Sequence, residues 1–258
     1  MKIVFIGAGN LAFHLSQALR KAGYEIVQVY SRTEKSAKAL AELIQATHTS
    51  DIESVHSDAE LYVISVSDDA IARIASLLPA TSGLVVHTAG SVPMDVFAPK
   101  FDNHGVFYPL QTFSKARPVS FAELPVFIES NTPENLQILR SVASALSRRV
   151  YEAHCEERLK VHLAAVFGCN FANHLFHLSS ELCRRAGFEF SVLSPLLLET
   201  VNKALASESP KSAQTGPAVR NDAEVMGKHL SRLEPYPEMR EIYALLSKNI
   251  LKTKNEQA

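Results

Sequence analysis

Two short motifs and one helical face in this 258-residue chain have the residue types and spacing to do chemistry. The first motif is Gly7-Ala8-Gly9-Asn10-Leu11-Ala12, which comes directly after the apolar run Ile3 to Ile6. Gly7 permits a tight turn, and Gly9 lets backbone N–H groups approach a pyrophosphate with no Cβ in the way. The stretch Asn10 to Ala22 reads as a helix, with Asn10 and Leu11 in a first turn that faces the anion. Ala12 stands where a third glycine often sits, so helix and strand must pack with one methyl between them. A glycine pattern alone is weak, but placed after a strand and before a helix it is strong.

The second motif is Tyr30-Ser31-Arg32-Thr33, at the end of the second strand pattern. An acid there would bond a ribose 2′-hydroxyl, whereas an arginine accommodates a 2′-phosphate. No acid occurs before Glu34, and Arg32 offers a planar, permanently charged fork between the hydroxyls of Ser31 and Thr33. The expected cofactor is therefore NADP(H). The competing account is a surface arginine beside a helix cap.

The third feature is the helical pattern from Cys155 to Ala186. Projected at about 100° per residue, it places Ala164, Phe167, Phe171, Leu175, Leu178 and Leu182 on one stripe. Much of the other side is His162, Cys169, Asn170, Asn173, His177 and Glu181. A solvated helix face is normally rich in Lys and Glu; amides and imidazoles are groups that orient substrates when hydrogen-bonded. This face is expected to look into a cleft between domains, with His162, Asn170 and Asn173 orienting or protonating a substrate. An imidazole is the best single candidate for proton donation near neutral pH. A dimer seam or satisfied core polar groups would give the same residue types.

These residues need elements to hold them. Leu61 to Val66 is a continuous apolar strand leading into Ser67-Asp68-Asp69, and Leu84 to His87 is another, ending in Thr88-Ala89-Gly90-Ser91. Ligands of open α/β sheets sit outside such strand ends, so Val66, Ser67 and Thr88 are expected to line the ribose and nicotinamide end. Asp68 reads rather as a cap for the next helix. His104 to Tyr108 and Val126 to Glu129 are shorter strands, and Thr132-Pro133-Glu134 opens a helix. The fold class is α/β, a doubly wound Rossmann-like sheet followed by an all-helical region. The composition shift puts a nucleotide-binding domain at 1–151 and a helical substrate and dimerisation domain at 152–258. The helical part carries apolar residues on more than one side, as in Leu193, Leu196, Leu197, Leu198 and Val201, so a homodimer through these helices is expected. The polar tail Lys252 to Ala258 is expected to fray.

Composition narrows the function classes. Lys plus Arg is 26 against 27 for Asp plus Glu, so no bulk field favours nucleic acid or an anionic membrane. No apolar stretch reaches the ~18 to 20 residues of a membrane helix. The three cysteines, Cys155, Cys169 and Cys183, lack ligand-type pairing, which suits reduced thiols in a cytoplasm and gives no metal site.

The stretches Ile-Gly-Ala-Gly-Asn-Leu-Ala, Tyr-Ser-Arg-Thr and Val-Ser-Asp-Asp-Ala-Ile resemble the cofactor domain shared by pyrroline-5-carboxylate reductases and deazaflavin-dependent NADP reductases. Phe107-Tyr108-Pro109-Leu110-Gln111-Thr112-Phe113 and Thr215-Gly216-Pro217-Ala218-Val219-Arg220-Asn221-Asp222 resemble a narrower group. That group comprises NADP oxidoreductases with a Rossmann-like N-terminal domain and an uncharacterised helical C-terminal domain. The resemblance spans nearly the whole chain and implies NADP binding and dimerisation through helices, with no settled substrate. Related β-hydroxyacid dehydrogenases carry a catalytic Lys followed four residues later by Asn; here Lys160 is followed at that spacing by Ala164, so their mechanism does not transfer. Tyr108 and Gln111 are open to two readings, substrate contact or packing, and the loop Ser207 to Asp222 to two others, a cleft-lining or helix-crossing role or an ordinary loop feeding the next helix. The expected function is hydride transfer between NADP(H) and a small carbonyl, imine or second redox partner. The alternative is a dinucleotide-binding sensor that never turns over.

Overall fold

A computed structural model describes residues 1–255. The chain divides into two compact units, Met1–Cys169 and Asn170–Ala258.

In the first unit the strands are Lys2–Ile6 (β1), Glu25–Tyr30 (β2), Thr47–Thr49 (β3), Leu61–Ile64 (β4), Leu84–His87 (β5), His104–Pro109 (β6), Val126–Ser130 (β7) and Val150–Glu152 (β8). They form one sheet in the order β3-β2-β1-β4-β5-β6-β7-β8. The β1, β2, β3, β4, β5 and β6 pairings are parallel; β7 runs antiparallel to β6, and β8 is parallel to β7. Strand order reverses between β1 and β4, which opens a crevice beyond their carboxyl ends. The unit's helices are Asn10–Lys21 (α1), Glu34–Ile44 (α2), Ile71–Leu77 (α3), Pro133–Leu146 (α4) and Cys155–Ala165 (α5). Two strands, β3 and β8, are only three residues long and do not stand out in the sequence.

Both faces of the sheet are covered, which is why its central strands read as unbroken apolar runs. Ile3 and Phe5 point into one core with Leu15 of α1 and Leu139 of α4. Val4 and Ile6 point into a second core with Ile71 of α3, Phe97 and Phe101. Burying either row to near-zero exposure contributes about 1.5 to 3 kcal/mol per large side chain. The strand ends that carry the candidate site are thus held on a rigid base.

After α5, residues Val166–Phe171 form a π-helical segment that leads into Ala172–Arg185 (α6). The sequence pattern suggested one uninterrupted α-helix from Cys155 to Ala186. A π turn admits an extra residue and rotates the downstream helical positions by roughly one residue's 100°. His162 precedes this segment, Asn170 lies within it and Asn173 follows it.

The second unit comprises α6, Ser194–Ala206 (α7), Pro217–Arg220 (α8), Ala223–Arg232 (α9) and Pro237–Asn255 (α10). The Thr215-Gly216-Pro217 motif starts α8: Gly216 adopts φ +110°, and Pro217 occupies the first turn. Asp222 then caps α9, accepting from the Val225 N–H at 3.1 Å. Among this unit's described residues, the buried apolar side chains are Ala218 and Leu233. Lys252 to Asn255, expected to fray, continue α10; the rest of the tail lies outside the described residues.

Candidate active site

A cavity of about 680 Å³ opens at the crevice between the ends of β1 and β4. Gly7, Gly9, Asn10, Leu11, Ser31, Arg32, Thr33, Val66, Ser67 and Thr88 all line it. The ten residues expected to bind the cofactor are thus brought together from separate strand ends and turns.

The two glycines differ in why they are glycines. Gly7 has φ +116°, and a Cβ there would fall 2.1 Å from the Ser65 carbonyl oxygen. It holds the end of β1 against the end of β4. A Cβ on Gly9 would meet nothing within 4 Å, so the missing side chain leaves open space above the start of α1. No side chain caps α1, and its first turn carries no acid. Its free N–H groups and positive end suit an anion. An open cradle over an uncapped helix start fits a dinucleotide pyrophosphate.

The turn is strapped from outside by Phe113-Ser114-Lys115. Asn10 donates from its side-chain amide to the Phe113 carbonyl at 3.0 Å, and His14 donates from Nε2 to the Ser114 carbonyl at 2.9 Å. Lys115 Nζ donates to the Ala8 carbonyl at 3.0 Å, and the Phe113 ring stacks on His14. Part of the Phe107 to Phe113 motif therefore works by holding the glycine turn.

At the far end of the cavity Arg32 is exposed and, among the described residues, pairs with no carboxylate. Glu34, the first acid after β2, is engaged 2.8 Å from His48 Nε2 on β3. Sequence reasoning missed Arg73 on α3, which brings a second guanidinium to the same cavity. Its register on α3 carries no motif that would have revealed it. Asp68 does not act as the expected cap: Ser67 holds the cap position, and Asp68 lines the cavity while accepting from the Ser91 hydroxyl at 2.5 Å.

A second group of polar side chains lies past the ends of β5 and β6. His87 is fully buried, and its Nδ1 accepts from the Ala89 N–H at 3.2 Å. Burial first, and then the charge of Arg158, push its pKa down to about 3, so it is neutral. Arg158 on α5 has 0% exposure, and its guanidinium pairs with Glu129 of β7. It also donates to the carbonyls of Ala153 at 3.0 Å and Val92 at 2.9 Å. These bonds tie α5 to the sheet and to the turn after β5. One helical turn on, half-buried His162 is hydrogen-bonded through Nδ1 to the Tyr108 hydroxyl at 3.0 Å. Gln111, by contrast, is exposed, and its side chain accepts from the Thr112 N–H. Asn170 and Asn173 belong to the second unit and are exposed.

Residues 2–89 match the family model described as NADP oxidoreductase, coenzyme F420-dependent, and residues 124–250 match a domain of unknown function. A Bacteroides fragilis protein, whose own assignment as an NADP oxidoreductase is provisional, is 47% identical over 97% of this chain and 98% of that one, with a TM-score of 0.90. The chain belongs to this NADP oxidoreductase family. NADP(H) is the cofactor of the family, and the cavity's residues fit it. A Streptococcus pyogenes pyrroline-5-carboxylate reductase is 13% identical over 98% of both chains, with a TM-score of 0.65. A Myxococcus stipitatus imine reductase, solved with NADP+, is 16% identical over 99% of this chain and 93% of that one, with a TM-score of 0.64. At those identities the likeness is one of fold. No curated protein matches the chain.

Proposed function

We propose that this chain is an NADP(H)-dependent oxidoreductase that reduces, or forms by the reverse reaction, a small carbonyl or imine compound. One observation carries the reading: ten residues of dinucleotide-binding type line a single cavity at the strand-order reversal. Bound NADP(H) would supply the hydride chemistry there. Gly7, Gly9, Asn10 and Leu11 would cradle the pyrophosphate on the α1 N-terminus. Arg32, Ser31 and Thr33 would take the 2′-phosphate, with Arg73 adding charge, and Val66, Ser67 and Thr88 would flank the ribose and nicotinamide. His162 serves as the protein's proton source, and Asn170 and Asn173 orient the substrate. Residues 152–258 act as the substrate and dimerisation region.

The working form is a homodimer joined through the C-terminal helices. Leu198 is 65% exposed and Leu205 81%, and Phe188, Val192, Leu196, Val201 and Leu245 are exposed with them. So much apolar surface fits a second copy of the same chain. Three free thiols suit a reducing cytoplasm. Among the described residues no helix is long and apolar enough to cross a membrane.

The test is NADPH consumption by purified protein against a panel of ketones, aldehydes, cyclic imines and deazaflavins. Turnover of a carbonyl or imine supports the reading. Tight NADPH binding with no turnover across the panel would replace it with a dinucleotide sensor.

A further inference from the structure

The Tyr108 hydroxyl is buried against the turn after β5 and is hydrogen-bonded to a histidine of α5. The ring lies on β6 with 7% exposure, and Phe127 across the antiparallel pair packs against it. A Cβ built on Gly90 would fall 2.7 Å from the ring's Cζ and 3.0 Å from its oxygen. The phenol therefore lies against the Thr88-Ala89-Gly90 turn, whose first residue lines the cofactor cavity. Gly90 is glycine because this hydroxyl occupies the space a side chain would need. Behind it stands His162, held in line by Arg158 four residues earlier on the same helix face.

We propose that Tyr108 is the residue that hands the proton to the substrate, with His162 as its resupply. This rests on the oxidoreductase reading above. Bound NADPH would supply hydride to the substrate's carbonyl or imine carbon, whose π electron pair would move onto oxygen or nitrogen. That atom takes the Tyr108 proton. The phenolate oxygen takes the Nδ1 proton of the His162 imidazolium, and solvent reprotonates the half-buried imidazole. In the oxidative direction each transfer reverses. Burial, reinforced by the Asp68 carboxylate and opposed by Arg158, pushes the phenol pKa up to about 12. Tyr108 is therefore protonated at any working pH, and its phenolate is too costly to persist without a proton from behind. A buried phenol this weak as an acid needs such a partner, and the Nδ1 contact provides one.

Tyr108→Phe keeps the ring's packing and removes only the hydroxyl. With the wild type turning over a carbonyl or imine, Tyr108→Phe should lower kcat by about a hundred- to ten-thousand-fold with NADPH affinity unchanged. His162→Ala should also lower kcat and regain activity with added imidazole, while Tyr108→Phe should not respond to it. In the cofactor-free protein, the ring resonances of His162 should move on Tyr108→Phe. A tyrosine that merely pins α5 would lower the melting temperature and leave the turnover of folded protein unchanged; that result overturns the proposal. So do His162 resonances that ignore Tyr108→Phe. A wild type that turns over nothing in the panel defeats the oxidoreductase reading itself, whereas a Tyr108→Phe enzyme of full rate defeats only this proposal.

Discussion

Exchanging either glycine of the turn for alanine should have opposite consequences, because each is glycine for a different reason. At Gly7 the backbone has φ +116°, and the new Cβ would meet the Ser65 carbonyl oxygen at 2.1 Å. The disfavoured conformation costs about 1 to 3 kcal/mol and the overlap about the same again. A loss of roughly 2 to 6 kcal/mol lowers the melting temperature by at least several degrees at about 2 to 4 °C per kcal/mol. At Gly9 the backbone is already extended, φ −73° and ψ −171°, and the Cβ meets no protein atom. Alanine is a poorer helix cap than glycine, by up to about 1 kcal/mol. It also restricts the unfolded chain, which offsets about 0.4 to 1 kcal/mol. Gly9→Ala should therefore melt within a few degrees of wild type. Its methyl projects into the cradle, and overpacking there should cost about 1 to 3 kcal/mol of NADPH binding, roughly 5- to 150-fold in Kd. Differential scanning calorimetry and isothermal titration separate the two effects. A Gly9→Ala protein that binds NADPH as tightly as wild type would refute the cradle, and an undamaged Gly7→Ala would refute the packing argument.

Arg32→Ala should weaken NADPH by about 1.5 to 3 kcal/mol, nearer the lower figure because the side chain is exposed, and leave NADH almost unaffected; equal losses for the two cofactors would remove Arg32 from the 2′-phosphate. Light scattering at micromolar concentration should give twice the 28.3 kDa chain mass, and a clean monomer across a dilution series would refute the dimer. Burial holds the His87 pKa down near 3, whereas an unfolded imidazole protonates near about 6.5, so between those values the unfolded state binds more protons and stability falls as pH falls. The slope should approach about 1.4 kcal/mol per pH unit, measured as urea midpoints, and His87→Asn, whose amide oxygen can take the Ala89 N–H, should flatten it; a wild-type profile already flat over that window would count against a buried neutral imidazole.

The cofactor half of the site was legible in the sequence because its determinants are local. A turn that needs φ +116° at Gly7, an open Gly9 and an arginine two residues past the strand all arise from a few neighbouring residues. The β1 to β2 spacing brings those pieces together through a right-handed crossover that α/β folds obey almost without exception. Arg73 escaped notice because it reaches the cavity from an exposed position on a seven-residue helix, where an arginine is ordinary. Asp68 was misjudged because a carboxylate at a helix start caps more often than it does anything else, and only the Ser91 hydroxyl, 23 residues away, redirects it.

The helical half of the proposed site depends on phase and on distance along the chain, which local pattern does not carry. Projecting residues 155–186 as one helix presumes a constant rotation per residue, which the π segment Val166–Phe171 breaks. Nothing in Val-Phe-Gly-Cys-Asn-Phe marks a widened turn by residue type. His162 stands out in the sequence by residue type alone, and what gives it a partner is Arg158. That guanidinium reads in sequence as one more surface charge on a helix, yet it has 0% exposure and is bound to Glu129 across 29 positions. Such a pair costs desolvation and is weak evidence for stability. Its value lies in position: it fixes the azimuth of α5 over β6 and β7, so that a residue one turn later meets the Tyr108 hydroxyl. Gly90 has its explanation at the same place, for it is a glycine without a positive φ whose Cβ is excluded by the Tyr108 phenol. Buried charge and missing methyl converge on one side chain, and that convergence is the reason for putting the proton chemistry on Tyr108 with His162 behind it.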